Sequence, residues 1–190
     1  MNYIACRLFR SAGSLIERIK YVAIILALLA AAIIAADQLV KNWAVKELKP
    51  VGSMDFIHIG KHKILDLTYV ENDGAVFGSM SGQRWFLIGF TGLVLIGGIF
   101  LLFKLYRRSK FLNVAITLFI AGGIGNLIDR IRYSYVVDMF DIKLFKFAVF
   151  NVADIFVTIA FVMLVIYGVF IDPKIEKAKK AEAEKAEANE

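Results

Sequence analysis

The sequence predicts an all-α membrane protein with four transmembrane helices, a small extracytoplasmic β-hairpin or sheet element, and both termini in the cytoplasm. Hydrophobic residues make up 59% of its 190 residues, and the mean hydropathy is +0.66. Such a composition is too apolar for an ordinary soluble domain. Two further observations support a membrane protein: four apolar segments and an uneven distribution of basic residues. The length of the chain suits one compact unit.

The four apolar segments are predicted to be membrane-spanning helices. They cover approximately residues 22–43, 85–103, 111–131 and 155–171. A helix needs about 20 residues to cross a hydrocarbon core of about 30 Å, and flanking amphipathic turns can complete a shorter segment. Residues 1–171 are therefore predicted to form a single integral membrane domain. Residues 172–190 alternate Lys, Ala and Glu, which predicts a charged, partly helical cytoplasmic tail.

The first apolar segment has an alternative interpretation as a cleaved signal peptide. Arg18 precedes an apolar run that ends near Ala36, as in such peptides. However, there is no clean small-x-small cleavage site before Asp37, and the helical pattern continues to Trp43. We therefore interpret this segment as the first span.

The distribution of Lys and Arg predicts the orientation in the membrane. Basic residues are concentrated before the first span, between the second and third spans, and in the tail. In the first two places they are Arg7, Arg10, Arg18, Lys20, Lys104, Arg107, Arg108 and Lys110. These regions are predicted to face the cytoplasm, so the net charge of +6 indicates topology. No exposed basic stripe is interleaved with aromatic residues, which argues against nucleic acid as a partner.

The first outer loop contains the segment MDFIHIGKHKILDLTYV, in which two β-rich runs flank residues 60–63. This alternation predicts a hairpin. His58 and His62 are four residues apart, a spacing that on a helix suits a metal, but the predicted turn separates them and no second ligand pair follows. No metal site and no cofactor are predicted. Cys6 is the only cysteine, so an internal disulfide is excluded.

Polar residues gather at the predicted outer ends of the spans. The first span carries Asp37 and Lys41, the third carries Asn126, Asp129 and Arg130, and the fourth begins with Asn151 and Asp154. Ionisable residues in or beside spans are costly and usually face the bundle interior or a wet cavity. Another carboxylate, Asp138, lies among apolar residues shortly before the fourth span. As a set, these residues predict a functional site at one membrane face.

Each of these residues also has a purely structural interpretation. Asp37 and Lys41, like Asn126 and Arg130, are four residues apart and could be pairs on a helix surface. Asn151 could be a helix N-cap, with Asp154 favoured at the third helical position by the positive helix end.

Five strings carry a resemblance to a known family. They are DQLVK (37–41), ENDGAVFG (71–78), GGIGNLIDR (122–130), VVDMF (136–140) and FNVAD (150–154). Together they resemble the lipoprotein signal peptidase family, bacterial signal peptidase II, over about residues 22–171. Any one string is weak evidence, but five strings in register with four spans are highly specific.

The resemblance implies an aspartic endopeptidase of the bacterial cytoplasmic (inner) membrane, with its active site at the extracytoplasmic face. Such enzymes remove the signal peptide from prolipoproteins by cutting before a cysteine that carries diacylglycerol. The implied partners are lipid-modified prolipoproteins and membrane lipid, and the protein is expected to be a monomer. A rival interpretation is a small membrane transporter with an acidic proton relay, which predicts polar residues through the whole depth of the bundle. A further alternative is a non-enzymatic membrane scaffold, which would not explain the two carboxylates Asp138 and Asp154.

The family's catalytic pair corresponds to Asp138 and Asp154. The supporting positions of the family correspond to Asp37, Lys41, Asn72, Gly122, Asn126, Arg130 and Asn151. Asp129 also matches, and we interpret it as structural. At position 76 this chain has Val where the family often has Ala, and at position 139 it has Met where Phe is common. These differences affect the expected shape of the substrate pocket and not the chemistry.

Two further expectations concern the chemistry and the glycines. Two adjacent carboxylates cannot both ionise cheaply, so one proton is shared; one carboxylate can activate a water while the other polarises the scissile carbonyl. Gly122, Gly123 and Gly125 either allow close helix packing or leave room beside the third span for a lipid-modified substrate.

Overall fold

The structure is a computed structural model that describes residues 3–74 and 80–187. Val76 therefore lies outside the described residues. In chain order the elements are α1 (Tyr3–Trp43), β1 (Ser53–Ile59), β2 (His62–Asn72), α2 (Arg84–Leu105), α3 (Lys110–Tyr133), β3 (Val136–Ile142), α4 (Val152–Ile166) and α5 (Asp172–Glu187). Short π-helical segments, Ala44–Leu48 and Tyr167–Ile171, extend α1 and join α4 to α5.

Four helical stretches are long and apolar enough to cross a membrane. They are Ile19–Leu48, Arg84–Leu105, Lys110–Tyr133 and Val152–Ala178. The four predicted spans are thus confirmed, although the helices run beyond the predicted bounds because polar turns at the span ends remain helical. The described part of the predicted tail forms α5, as its Lys, Ala and Glu content favours.

Helix α3 is the centre of the bundle and packs against α1, α2 and α4. Its apolar window is 56% buried within the protein, against 11% for each of the other three spans. The outer three helices therefore present most of their apolar side chains to lipid. This position explains why polar residues at the end of α3 can meet residues from several other elements.

The glycines of α3 permit close packing of neighbouring helices. A Cβ atom at Gly122 would lie 2.6 Å from the carbonyl oxygen of Ala153, and one at Gly123 would lie 2.7 Å from a methyl carbon of Leu95. At Gly125 a Cβ atom would lie 2.6 Å from a carboxylate oxygen of Asp37. Of the two sequence-based alternatives for these glycines, the geometry favours close packing.

The three strands form one antiparallel sheet in the order β1-β2-β3. The predicted hairpin is confirmed by β1 and β2, whose turn contains Gly60 at φ +60°. The third strand, β3, was not predicted from the sequence. β3 pairs with β2, which lies more than sixty residues earlier in the chain, so its pairing is a tertiary feature.

The sheet is fixed to the C-terminal end of α1 by a small apolar core. Ala44 and Leu48 of the π-helical segment pack with Leu67, Val137 and Met139, and four of these five residues are fully buried. Because successive side chains of a strand point to opposite faces, the burial of Val137 and Met139 directs the intervening Asp138 away from this core.

Candidate active site

Asp138 and Asp154 line the same cavity, which has a volume of about 560 Å³. Asp138 comes from β3, whereas Asp154 is the third residue of α4. The other lining residues are mostly apolar: Val136, Ile142, Phe147, Ala148, Val149, Phe150, Ile155, Val157, Thr158 and Ile159, together with Asn72, Asn126 and Arg130. The structure thus joins two carboxylates that are sixteen residues apart in sequence at one apolar cavity.

Asn151 connects the two carboxylates. It is the N-cap of α4: its Oδ1 accepts from the Asp154 N–H at 3.0 Å, and its own N–H donates to Asp154 Oδ2 at 3.2 Å. The Nδ2 of the same side chain donates to Asp138 Oδ1 at 2.6 Å. The predicted N-cap is confirmed, and the capping residue also belongs to the site.

Two further amides complete the hydrogen bonding of the pair. Asn126 Nδ2 donates to Asp154 Oδ1 at 2.8 Å, and Asn72 Nδ2 donates to Asp138 Oδ2 at 2.9 Å. Each of the four carboxylate oxygens therefore accepts a hydrogen bond from an amide N–H. Asn151 Nδ2 also donates to Asn126 Oδ1 at 3.0 Å, which joins the amides to one another.

Lys41 lies inside the bundle and not on a helix surface, so the surface-pair interpretation was wrong. It is only 3% exposed, and its Nζ lies 2.9 Å from Asp37 and 3.0 Å from Asp129. Lys41 also donates to Asn126 Oδ1 at 2.9 Å. Because an ammonium group can only donate, it holds the oxygen of Asn126 towards itself and the Nδ2 towards Asp154.

The acidic partners of Lys41 hold the elements that carry the carboxylate pair. Asp37 Oδ1 accepts from the N–H of Ala153 at 2.9 Å, in the first turn of α4. Asp129 Oδ2 accepts from the N–H of Val137 at 3.2 Å, next to Asp138 on β3. These contacts agree with the structural interpretation of Asp129.

The sequence analysis did not include Gln38, whose Nε2 donates to Asp129 Oδ1 at 2.9 Å and to the carbonyl of Gly125 at 3.3 Å. Its signal in the sequence was a polar residue beside Asp37 in an apolar span. Arg84, at the start of α2, was also missed; its Nε donates to the carbonyl of Arg130 at 3.0 Å.

Arg130 and Gly122 occupy different places in the site. Arg130 lines the cavity, and its Nη2 donates to the carbonyl of Gly74 at 3.0 Å. Gly122 is not among the lining residues; it lies against Ala153 and against Val157 of α4, which does line the cavity. It therefore sets the separation of α3 and α4, the helices that carry Asn126 and Asp154.

The pKa of Asp138 is raised to about 6. Burial is the largest cause and the nearby charge of Asp154 also raises the pKa, whereas the hydrogen bonds from Asn72 and Asn151 lower it. Asp138 is only 2% exposed, so its ionised form loses most of its hydration. Asp138 therefore keeps its proton to a higher pH than an ordinary aspartate does.

Among the described residues, no group of three or more His, Cys, Asp or Glu side chains is placed to hold a metal ion. His58 and His62 lie on β1 and β2, on either side of the hairpin turn.

Comparisons with known proteins agree with this arrangement. The family model described as signal peptidase (SPase) II matches residues 29–170. A lipoprotein signal peptidase of Lactococcus lactis subsp. lactis is 42% identical over 133 residues, covering 70% of this chain and 85% of that protein. A lipoprotein signal peptidase of Streptococcus thermophilus is 38% identical over 147 residues, covering 77% of this chain and 92% of that protein.

A solved structure described as a bacterial membrane enzyme matches the fold with a TM-score of 0.67 and 30% identity, over 75% of this chain and 85% of that chain. Nothing in these comparisons supports the transporter alternative. They agree with the family that the motifs indicate and with the multi-pass architecture. The chain belongs to the signal peptidase II family.

Proposed function

We propose that the protein is an aspartic endopeptidase that removes the signal peptide from lipid-modified bacterial prolipoproteins, cutting before the lipidated cysteine. Membership of the family supports peptidase activity, and the relatives named lipoprotein signal peptidase support this class of substrate. The observation that carries the aspartic mechanism is the pair Asp138 and Asp154, held by shared amides at one apolar cavity.

In the proposed mechanism one carboxylate is ionised and the other holds the shared proton. The ionised carboxylate takes a proton from a water molecule as the water oxygen attacks the scissile carbonyl carbon, and the protonated carboxyl group gives its proton to the carbonyl oxygen. The tetrahedral intermediate then collapses. The C–N bond breaks as the nitrogen receives a proton from one carboxyl group, and one hydroxyl of the intermediate returns its proton to the other carboxylate. The carboxyl product then leaves, and the pair again holds one proton. The raised pKa of Asp138 supports Asp138 as the resting holder of the proton.

The surrounding residues support binding and positioning in this proposal. Asn72, Asn126 and Asn151 keep the carboxylates in fixed orientations, and Arg130 supplies a cationic donor beside the cavity for a substrate carbonyl. The apolar wall contributed by Ile155 and other residues at the start of α4 suits a substrate that enters from the lipid.

The proposed location is the bacterial cytoplasmic membrane, with the site at the extracytoplasmic face and both termini in the cytoplasm. Asp37 and Asn126 near the ends of their spans, and Asp154 at the start of its span, support a site at one face. Arg108 and its basic neighbours lie at the opposite ends of α2 and α3 and support a cytoplasmic assignment there.

We include residues 1–171 in one domain, with residues 172–190 as a cytoplasmic tail. We further propose that the enzyme is a monomer.

The direct test is cleavage by purified protein in detergent. A diacylglyceryl prolipoprotein and its unlipidated form are incubated separately with the enzyme, and the products are identified by mass spectrometry. We expect a cut immediately before the lipidated cysteine and none in the unlipidated protein. Equal cleavage of both forms would contradict the proposed specificity, and an intact lipidated substrate would contradict the function.

The aspartic mechanism is tested by Asp138→Asn and Asp154→Asn. Asn keeps the shape of Asp but cannot exchange the proton, so each variant should fold and lose nearly all cleavage. The double variant should be scarcely slower than either single variant, because the two groups act as a unit.

Asp141→Asn is the matched control for this experiment. Asp141 lies on the same strand as Asp138, three residues away, but it pairs with Lys143 and Thr68 outside the cavity lining. It should keep wild-type turnover. Normal turnover in Asp138→Asn or Asp154→Asn would remove that residue from the catalytic pair.

A further inference from the structure

Arg84, the first residue of α2, reaches the last turn of α3. Its Nε donates to the carbonyl of Arg130 at 3.0 Å, and its Nη2 donates to the carbonyl of Ile131 at 2.8 Å. The last four carbonyls of a helix have no partner within the helix and form its negative end. A planar guanidinium that donates from two nitrogens suits two adjacent carbonyls of this kind. Arg84 therefore caps the end of α3 at the residue that lines the cavity.

A continuous series of hydrogen bonds leads from this cap to the carboxylate pair. The Arg130 Nη2 donates to the carbonyl of Gly74 at 3.0 Å, and the Gly74 N–H donates to Asn72 Oδ1 at 3.1 Å. Asn72 Nδ2 in turn donates to Asp138 Oδ2 at 2.9 Å. Three residues from two separate parts of the chain, Arg130, Gly74 and Asn72, thus link Arg84 to Asp138.

Among the described residues, the side chain of Arg130 makes one hydrogen bond, from its Nη2 to the carbonyl of Gly74. Its Nε is buried without a hydrogen-bond partner among the described residues. A guanidinium held in this way follows its own backbone closely, so movement of the last turn of α3 would move it within the cavity. Fixing the carbonyl of Arg130 is therefore a direct means of fixing its side chain.

Attachment of α2 to the bundle does not require Arg84. Leu95 of α2 is buried against α3, and Leu102 and Leu105 pack in the same apolar cluster. This cluster holds the second half of α2, whereas Arg84 acts at the first residue of the helix. The two hydrogen bonds of Arg84 are thus better explained by the site than by helix packing.

We propose that Arg84 is a positioning residue of the active site, which orients Arg130 and, through Gly74 and Asn72, the Asp138 carboxylate. The inference rests on the proposed function, because its effect is on turnover of the lipidated substrate. Arg84 needs no contact with the substrate for this role.

The test measures kcat, KM and thermal unfolding of Arg84→Met in detergent. We expect kcat to fall about tenfold, because small displacements of catalytic groups are costly, with KM and the unfolding temperature close to wild type. Arg84→Lys should recover part of the loss, since an ammonium group can donate to a carbonyl but lacks the fork. Arg132→Met is the control: Arg132 is exposed and stacks on Tyr133 at the same helix end, and the variant should be fully active.

A double-mutant cycle separates positioning from a structural role. If Arg84 acts through Arg130, then adding Arg84→Met to Arg130→Met should cause no further loss of kcat. Where Arg130→Met does not fold, Asn72→Ala replaces it in the cycle. Losses that multiply would overturn the proposal, as would a normal kcat per folded molecule in Arg84→Met. An inactive wild-type enzyme would instead contradict the proposed function itself.

Discussion

Asn151 has two roles that together require an amide side chain: it caps α4 and it donates a hydrogen bond to Asp138. Asn and Asp are equally good N-caps, because either side chain offers an oxygen to the first turn of a helix. Here the side chain must also donate, since Asn151 Nδ2 bonds to Asp138 Oδ1 at 2.6 Å. A carboxylate at this position would cap α4 but would repel Asp138. The choice of Asn over Asp at position 151 is thus explained by the site and not by the helix.

At the same scale, Asp138 should lower the stability of the protein as its carboxylate ionises. Its pKa is raised from 3.8 to about 6 in the folded state, so the stability contributed by the neutral form is complete below pH 3.8 and is lost as the pH rises through about 6. A shift of this size corresponds to on the order of 3 kcal/mol. Asp138→Asn should therefore raise the unfolding temperature in detergent at pH 8 and have little effect at pH 4.

Asp141→Asn provides the comparison for this prediction. Asp141 is paired with Lys143 at the sheet edge, so removal of its charge should give no gain at pH 8. If Asp138→Asn were destabilising at pH 8 by as much as at pH 4, burial of the Asp138 charge would not be the cost described here.

At the scale of elements, α3 determines the geometry of the site because α1, α4 and β3 all contact its C-terminal end. Asn126 bonds to Asp154 of α4 and to Lys41 of α1, while Asp129 bonds to the start of β3. Such contacts need the helices to approach closely, which Gly122 permits at α4. Because Gly122 has no side chain, α3 and α4 can approach each other closely. This approach allows Asn126 of α3 to bond to Asp154 of α4.

This link predicts a difference between adjacent glycines. In Gly122→Ala the new methyl group meets the backbone oxygen of Ala153 at 2.6 Å, so α4 must shift, and overpacking of this kind costs about 1–3 kcal/mol. Cleavage should fall strongly, because α4 carries Asp154. In Gly123→Ala the methyl group meets only the flexible end of Leu95 on α2, so most of the activity should remain.

Gly97→Ala is the control for both variants, because a Cβ atom at Gly97 has no neighbour within 4 Å among the described atoms. The measurements are kcat per folded enzyme and the unfolding temperature. Equal activity of Gly122→Ala and Gly97→Ala would show that the α3–α4 distance does not control the site.

At the scale of the whole molecule, the polar clusters lie at the two ends of the bundle. The carboxylate pair and the Lys41 cluster occupy one end. At the other end Arg108 binds Asp172 at 2.8 Å and Glu176 at 2.9 Å, which joins the α2–α3 loop to the start of α5. The first turn of the predicted tail is therefore docked on the bundle. The separation of these clusters suits a protein whose ends face different aqueous compartments.

The proposed topology can be tested with the single native cysteine. If the amino terminus is cytoplasmic, a membrane-impermeant maleimide added to spheroplasts should label Cys6 only after permeabilisation. In a Cys6→Ser background, Lys61→Cys at the exposed hairpin turn should be labelled without permeabilisation. Labelling in the reverse pattern would invert the orientation, and with it the face to which we assign the site.

The sequence by itself determined the features that depend on local patterns. Hydropathy alone located the four spans, since a helix in lipid must be apolar over its whole length. Alternation about Gly60 located the hairpin, and the order of residues at Asn151 and Asp154 predicted the N-cap. The five strings indicated the family and the residues of the site, and the polar residues of α1, α3 and α4 were expected at one end because consecutive spans alternate in direction.

Only the tertiary structure decided how those residues contact one another. The pairing of β3 with β2, the enclosure of Lys41 between Asp37 and Asp129, and the reach of Arg84 to α3 all join distant parts of the chain. No local pattern contains the register of two distant strands or the distance between two helices. These quantities are set by packing, as at Gly122, and a change of a few ångströms there would separate Asn126 from Asp154.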